Sequence, residues 1–299
     1  MKIACVFLKR RIKDVKYAIN FEKYGELYAL KDAELEIKKG EMVALIGNNG
    51  SGKTTLMKII SGITKASTGT FEWETNRQTN LIETPEFFDY LSGYKNLEYF
   101  RIQRGFQEQH VIDDILERVG LPNDRKKFKQ YSLGMKQRLA IGLCLLGNPE
   151  FMVLDEPTNG VDAQGIIDIR NLLLTLNKEE QLTMLISSHN INELYNIATR
   201  FVFIKSGEIK KDISKSELNE NIGTFYQVNI DRIQDIETLT NDTVLQSNYY
   251  ILDDKNTLKL VKNSETSQFI EQLSQKELID DISEVQVMLE DYYLEIMKG

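Results

Sequence analysis

The run Gly47-Asn48-Asn49-Gly50-Ser51-Gly52-Lys53-Thr54 constrains this chain more than any other segment. It satisfies G-x-x-x-x-G-K-[ST] at every fixed position. Met42–Ile46 before it is a continuous apolar run, as a strand buried on both faces requires. Thr54–Ile60 after it has the apolar period of a helix. Glycines let successive backbone N–H groups converge on one point, and a helix start adds its positive end there. That is a cradle for phosphate. Lys53 is then a point charge for β- and γ-phosphates and the Thr54 hydroxyl a Mg²⁺ ligand, with Thr55 beside it among the nucleotide contacts. A glycine-rich turn with a chance Lys-Thr is the bland alternative. The strand before and the helix after argue against it.

Phe151-Met-Val-Leu-Asp155-Glu156 is an apolar strand that ends in two acids. The carboxyl end of a buried strand is where α/β sheets place ligand-handling groups. There Asp155 would hold Mg²⁺ through its shell, and Glu156 would polarise an attacking water. Acids at strand ends are common in turns, so the pair alone is a weak signal. Together with the phosphate loop it points to hydrolysis of a nucleotide, beyond binding.

Between and after these motifs strand and helix patterns alternate, which implies a mostly parallel sheet of the α/β class. Strands are expected from Val15, over Leu30–Ile37, Phe151–Leu154, Leu182–Ser187 and Phe201–Ile204, the last ending in the turn Ser206-Gly207. Helical pattern dominates residues 86–148, over Asn96–Arg104, His110–Val119 and Lys136–Leu146, and returns near 165–177 and 191–198. Beyond Leu218 the texture changes to strand 225–230, helix 232–239, hairpin strands 249–252 and 257–261, helix 265–273, strand 284–288 and helix 289–297. This β-α-β-β-α-β order suggests a small ferredoxin-like α+β module. Two domains are therefore expected, residues 1–217 and 218–299, and residues 1–14 receive no assignment.

The charge distribution agrees with that division. Residues 225–299 carry 15 acids against 6 bases, a net −9, so the remainder of this −8 chain is near +1. Such acidity argues against a nucleic-acid partner held by phosphate neutralisation. The two cysteines, Cys5 and Cys144, form no C-x-x-C pair and fit a reducing cytoplasmic setting. No stretch approaches the roughly 20 apolar residues that span a bilayer, so any membrane role is expected to come from docking on another chain.

Tyr131-Ser132-Leu133-Gly134-Met135-Lys136-Gln137-Arg138 narrows the reading. Ser132 is a good N-cap for the helix that follows. The segment resembles the signature motif of ABC transporter ATP-binding subunits, in the form common among ABC-2-type exporters. The resemblance implies a P-loop ABC nucleotide-binding fold with a RecA-like core, an antiparallel β subdomain and a helical subdomain at about 86–148. It also implies that Ser132 and Gly134 complete the ATP site of a second copy in a head-to-tail pair. Asn159-Gly160-Val161-Asp162 looks like the D-loop, with Asp162 crossing the dimer interface, and Ser187-Ser188-His189 like the switch segment, with His189 on the γ-phosphate and catalytic water. Tyr24-Gly25 resembles the aromatic that stacks on adenine, with Tyr28 as competitor.

One position departs from the family pattern. Where these proteins usually carry glutamine, Leu81-Ile82-Glu83-Thr84-Pro85 has Glu83, an oxygen ligand for Mg²⁺ or water that adds a negative charge. Glutamate here resembles bacteriocin- and lantibiotic-immunity exporters and their bacitracin-resistance relatives. The resemblance thus implies a subunit that hydrolyses ATP with Mg²⁺ at the cytoplasmic face of the membrane and drives separate permease subunits. Tyr90 and Leu91 are the expected docking contacts. Met288–Ile296 faintly matches the closing helix of that subfamily, although a plain packing helix explains it as well. The competing readings are a soluble ABC ATPase acting on ribosome or DNA, and a nucleotide-gated regulatory module. The single nucleotide domain weighs against the first and the intact Asp155, Glu156 and His189 set against the second.

Overall fold

Met42–Ile46 (β3) is buried at all five positions and lies inside a six-stranded sheet. Across the sheet the strands are Gln78–Leu81 (β5), Phe151–Asp155 (β6), Thr183–Ser188 (β7), β3, Arg200–Lys205 (β8) and Glu208–Ser214 (β9). Every pair is parallel except β8 with β9. A parallel sheet covered on both faces explains why β3, β6 and β7 read as unbroken apolar runs. The structure, a computed structural model, describes residues 9–21, 25–72, 77–230, 249–252, 257–262, 264–275 and 279–298. The chain divides into two units, Met1–Lys215 and Ser216–Gly299.

In the first unit Lys9–Phe21 (β1), Gly25–Lys38 (β2) and Thr68–Glu72 (β4) make an antiparallel sheet in the order β2-β1-β4. Leu30, Ala33, Leu35 and Ile37 of β2 share one core with Val43 and Leu45 of β3, Leu56 and Ile60, and Phe151 and Val153 of β6. Lys53–Ile60 (α1) turns Leu56, Met57, Ile59 and Ile60 into that core. Gly93–Gln103 (α2), Val111–Arg118 (α3) and Leu133–Leu145 (α4) occupy the segment expected to be helical. Helix α4 is buried continuously from Leu139 to Leu145, so its C-terminal half is central, without a solvent stripe. Ala163–Glu180 (α5) and Ile191–Tyr195 (α6) complete the unit.

Three differences from expectation have local causes. Helix α2 begins at Gly93, three residues early, because Ser92 caps it by accepting from Lys95 N. Ser206 and Gly207 both adopt positive φ, 50° and 81°, the backbone of a tight hairpin turn. That turn continues into β9, which the pattern did not predict. Residues 9–14, left unassigned, form the start of β1.

In the second unit Lys215–Asn221 (α7) leads into Gly223–Ile230 (β10). Tyr249–Leu252 (β11), Thr257–Val261 (β12), Ser264–Gln275 (α8), Ile279–Val287 (β13) and Leu289–Lys298 (α9) follow. The sheet order is β11-β12-β10-β13, with antiparallel neighbours throughout. Val228, Leu260, Phe269 and Leu273 form its core. Strand β13 starts five residues before the expected 284 and pairs with β10 over its length. Its Asp280 and Asp281 are exposed, which hid the strand from hydrophobic alternation. The expected helix 232–239 and turn 253–256 lie outside the described residues.

Candidate nucleotide site

The phosphate loop leaves β3 at Gly47, where side-chain space is absent. A Cβ there would fall 2.3 Å from the Ile204 carbonyl oxygen and 2.5 Å from Ser51 Oγ. Gly52, the residue before α1, sits at φ 106°, and a Cβ on it would meet the Ala29 carbonyl oxygen at 2.6 Å. Both positions therefore require glycine. The turn after β8 stitches the loop in place: Gly207 N donates to the Ser51 carbonyl at 2.8 Å, and Lys31 N donates to the Gly207 carbonyl at 2.7 Å.

Lys53 is 6% exposed, and its ammonium donates to the carbonyls of Gly47 at 2.6 Å and Asn48 at 3.2 Å. Burial pushes its pKa below the ordinary lysine value, while the carboxylates of Glu156 and Asp155 pull it back up. A buried ammonium folded onto its own loop is a charge waiting for anionic oxygens. Asn48, Asn49 and Gly50 are exposed at the rim, and Thr55 is half-buried behind Thr54. The cleft over this loop measures about 680 Å³ and is bounded by Ala29, Lys31, Thr54, Asp155, Glu156 and Gly207.

Strand β6 brings the two acids to that cleft. Asp155 Oδ2 accepts from the Thr54 hydroxyl at 2.7 Å, and Asp155 Oδ1 accepts from the Ser187 hydroxyl. Thr54 and Asp155 are thus hard oxygens at one point, the donor set that suits Mg²⁺. Glu156 leaves the strand at φ 51°, a left-handed conformation that strains a residue with a side chain. Its N–H donates to Ser187 Oγ at 3.1 Å, and its Oε2 lies 2.7 Å from His189 Nδ1. A carboxylate that close to an imidazole, beside a phosphate cradle, can orient and deprotonate water.

A second cluster gathers the remaining motifs. Ser132 caps α4 by accepting from Met135 N at 3.2 Å, as its position predicts. Asp162 caps α5 by accepting from Gly165 N at 2.8 Å. A Cβ on Gly134 would approach Val161 at 3.4 Å and the Gly165 Cα at 3.5 Å, so the two helix starts pack closely. Ser132 and Asp162 are exposed, and Leu133 between the motifs is 48% exposed. Helix α4 thus offers solvent a capped N-terminus flanked by apolar surface.

Glu83 makes its ion pair with α1. It pairs with Lys58 of α1 at 2.8 Å, and that hydrogen bond and charge hold its carboxyl below the usual range. It still lines a further cleft, of about 660 Å³, with Phe87, Phe128, Gln137, Asp155 and Glu156. Tyr24 lies outside the described residues. Tyr28 is on β2, paired in register with Ala18 of β1. Tyr90 is 65% exposed and Leu91 half-buried.

Comparison with known proteins identifies the family. Residues 30–159 match the ABC transporter family. The bacitracin transport ATP-binding protein BcrA of Enterococcus faecalis is 31% identical over 306 residues, spanning 95% of this chain and 98% of that protein. The chain belongs to the ABC transporter ATP-binding proteins. The lantibiotic transport ATP-binding protein SrtF of Streptococcus pyogenes is 37% identical, over 67% of this chain and 92% of its own length. The dimeric post-hydrolysis ATP-binding cassette MJ0796, bound to ADP and Pi, superposes with a TM-score of 0.61 at 25% identity, covering 69% of this chain and 98% of that one. The fold is accordingly the P-loop ABC nucleotide-binding domain, and the chain is an ATP-binding ATPase subunit.

Within this ABC site the structure adds residues that the motifs did not single out. Lys58 stands four residues after Thr54 on α1, and Glu193 four residues after His189. On α1 that spacing returns Lys58 to the face of Thr54, the signal from which it could have been found, whereas His189 precedes helix α6 and gives no such signal for Glu193. Glu193 accepts from the Thr158 hydroxyl and from Asn190 Nδ2.

Proposed function

We propose that this chain is the motor of an exporter that moves a peptide antibiotic, bacteriocin or related drug, docking from the cytoplasmic face on separate membrane permease subunits. The bacitracin and lantibiotic transport roles of BcrA and SrtF support that cargo class, as does glutamate at position 83. Among the described residues no helix is long and apolar enough to cross a membrane, which fits a motor that needs membrane partners. Residues 1–217 form the ATP-binding domain, and 218–299 form an accessory domain. The latter's β10 lies between β12 and β13 in a fully antiparallel sheet, as in ferredoxin-like modules.

The observation that carries the catalytic reading is the convergence of Thr54, Asp155 and Glu156 on one cleft, with His189 held against Glu156. Gly47 to Thr55 grip the triphosphate, with Lys53 on its β- and γ-oxygens and Tyr24 against adenine. Thr54, Asp155 and Glu83 are the residues that would hold Mg²⁺, which when bound neutralises charge developing on the phosphate oxygens. Glu156 takes the proton of the attacking water, and His189 holds the Glu156 carboxylate and the γ-phosphate in register. Ser132 and Gly134 serve the site of a second copy, and Asp162 meets that copy at the interface. The exposure of Ser132 at the α4 start and of Asp162 at the α5 start favours this reading, as does the dimeric form of the MJ0796 cassette.

The test is Glu156→Gln. With ATP and Mg²⁺ the variant is expected to run as a stable dimer on size-exclusion chromatography and to hydrolyse nothing measurable. A variant that stays monomeric while the parent hydrolyses normally would remove Glu156 as the base.

A further inference from the structure

We propose that Glu193 is a positioning residue for hydrolysis, a brace that fixes the loop carrying Glu156 against the loop carrying His189. Each of its carboxylate oxygens has a separate partner on a separate loop. Oε2 accepts from the hydroxyl of Thr158, two residues past Glu156. Oε1 accepts at 3.0 Å from Asn190 Nδ2, one residue past His189. Just before those anchor points on the two loops stand Glu156 and His189, in contact at 2.7 Å.

The brace adds to a backbone tie already present, the Glu156 N–H donating to the Ser187 carbonyl at 3.2 Å. Glu156 sits at φ 51°, a conformation that persists in a residue with a side chain only where neighbours over-determine it. Asn190 has both ends engaged: its N–H donates to Ser188 Oγ at 3.0 Å and its Oδ1 accepts from Asn192 N at 3.1 Å. Its Nδ2 is thereby aimed at Glu193. Thr158, Asn190 and Glu193 have no contact with the phosphate loop among their described hydrogen bonds, so the brace bears on the water side of the site and leaves the nucleotide grip alone. Helix α6 spans only Ile191–Tyr195, and Glu193 at its centre makes that short helix a spacer between the two loops.

The inference rests on the assignment of Glu156 and His189 made above, and the experiment separates the two claims. Turnover, KM for ATP and thermal midpoint are measured on the full chain for Glu193→Ala, Glu193→Gln, Thr158→Val, His189→Ala and the double variant Glu193→Ala/His189→Ala. Glu193→Ala is expected to lower kcat roughly 10- to 100-fold, the cost of a misplaced reacting group, with KM within about two-fold of the parent. Glu193→Gln should recover most of kcat, because its carbonyl oxygen accepts from Asn190 and its amide donates to the Thr158 hydroxyl. Thr158→Val breaks one arm only, so it should fold normally and show a smaller kcat loss. In the His189→Ala background the second substitution should cost less than roughly two-fold more, since residues that act as a unit are not additive. Parent-like kcat in Glu193→Ala, an equal fall in kcat and ATP affinity, or full additivity with His189→Ala each overturns the brace. Parent-like turnover in His189→Ala would instead overturn the assignment on which it stands.

Discussion

The Thr54 hydroxyl donates to Asp155 Oδ2 at 2.7 Å, tying the first turn of α1 to the last residue of β6. The contact puts two of the oxygens proposed for the metal beside each other, although 101 residues separate them in sequence. Asp155→Asn keeps an oxygen for Thr54 and removes the charge. Apparent Mg²⁺ affinity in the presence of ATP should then fall roughly 10- to 100-fold, as when a partner of a metal shell is altered. Metal-free nucleotide binding should change little. Titrating Mg²⁺ against a fluorescent ATP analogue measures both, and an unchanged Mg²⁺ dependence would move the metal elsewhere.

Ser132 is both a helix cap and, on the proposed reading, a phosphate contact for a second copy. Two substitutions separate these roles. Ser132→Asp keeps a capping oxygen, so its thermal midpoint should match the parent, yet its charge faces the γ-phosphate and should stop turnover. Ser132→Arg loses the cap, at a cost of about 1 kcal/mol, and should also stop turnover while ATP still binds. Normal hydrolysis by either variant would end the shared-site argument.

Lys58 and Glu83 form an exposed pair, so their effect is one of charge placement and little of it is stability. Removing the ammonium in Lys58→Met releases Glu83 toward the acidic wall, and apparent Mg²⁺ affinity should rise roughly two- to five-fold. Glu83→Gln should lower it by a similar factor and make Lys58→Met silent when combined. Salt should erase much of the difference, which is the simplest control.

Burial pushes the Cys144 thiol up from its ordinary 9.0 to about 11, against hydrogen bonding and Arg104, which pull it down. The folded state holds this proton more tightly than the unfolded state. The linked stability is therefore complete below pH 9.0 and is lost as pH rises toward about 11. In a Cys5→Ser background the remaining thiol should resist alkylation at pH 8 and react once guanidinium unfolds the chain. Rapid native labelling would show that the α4 core opens readily. Comparing urea midpoints of Cys144→Ala with its parent from pH 8 to 11 tests the sign, because only the parent should weaken from this source.

The phosphate loop, the acidic strand end and the parallel sheet could be read from residue order because each is local. Met42–Ile46 shows this best: its strand bounds coincide with the apolar run. The signature cap was legible for the same reason, since Ser132 and Met135 N are three residues apart. What escaped depends on the chain returning to itself. Strand β9 is an edge strand in which Lys210, Lys211 and Asp212 face solvent and only Ile209 and Ile213 turn to the core, too few and too widely spaced to announce it. Lys58 looks like an ordinary surface lysine until Leu81 and Ile82 carry Glu83 to it. Glu193 reads as a polar face residue until β6 and β7 lie side by side and bring Thr158 within reach.

Asp155 and Glu156 border both large clefts, the one over the phosphate loop and the one beside Glu83 and Phe87. They act as a party wall between two chambers. On the proposed reading, a partner pressing on the outer chamber, where Phe87, Phe128 and Gln137 gather, would bear on the same two residues assigned to metal and water in the inner one. The path from such a partner to the chemistry would then be one peptide link long, ending on the strained Glu156.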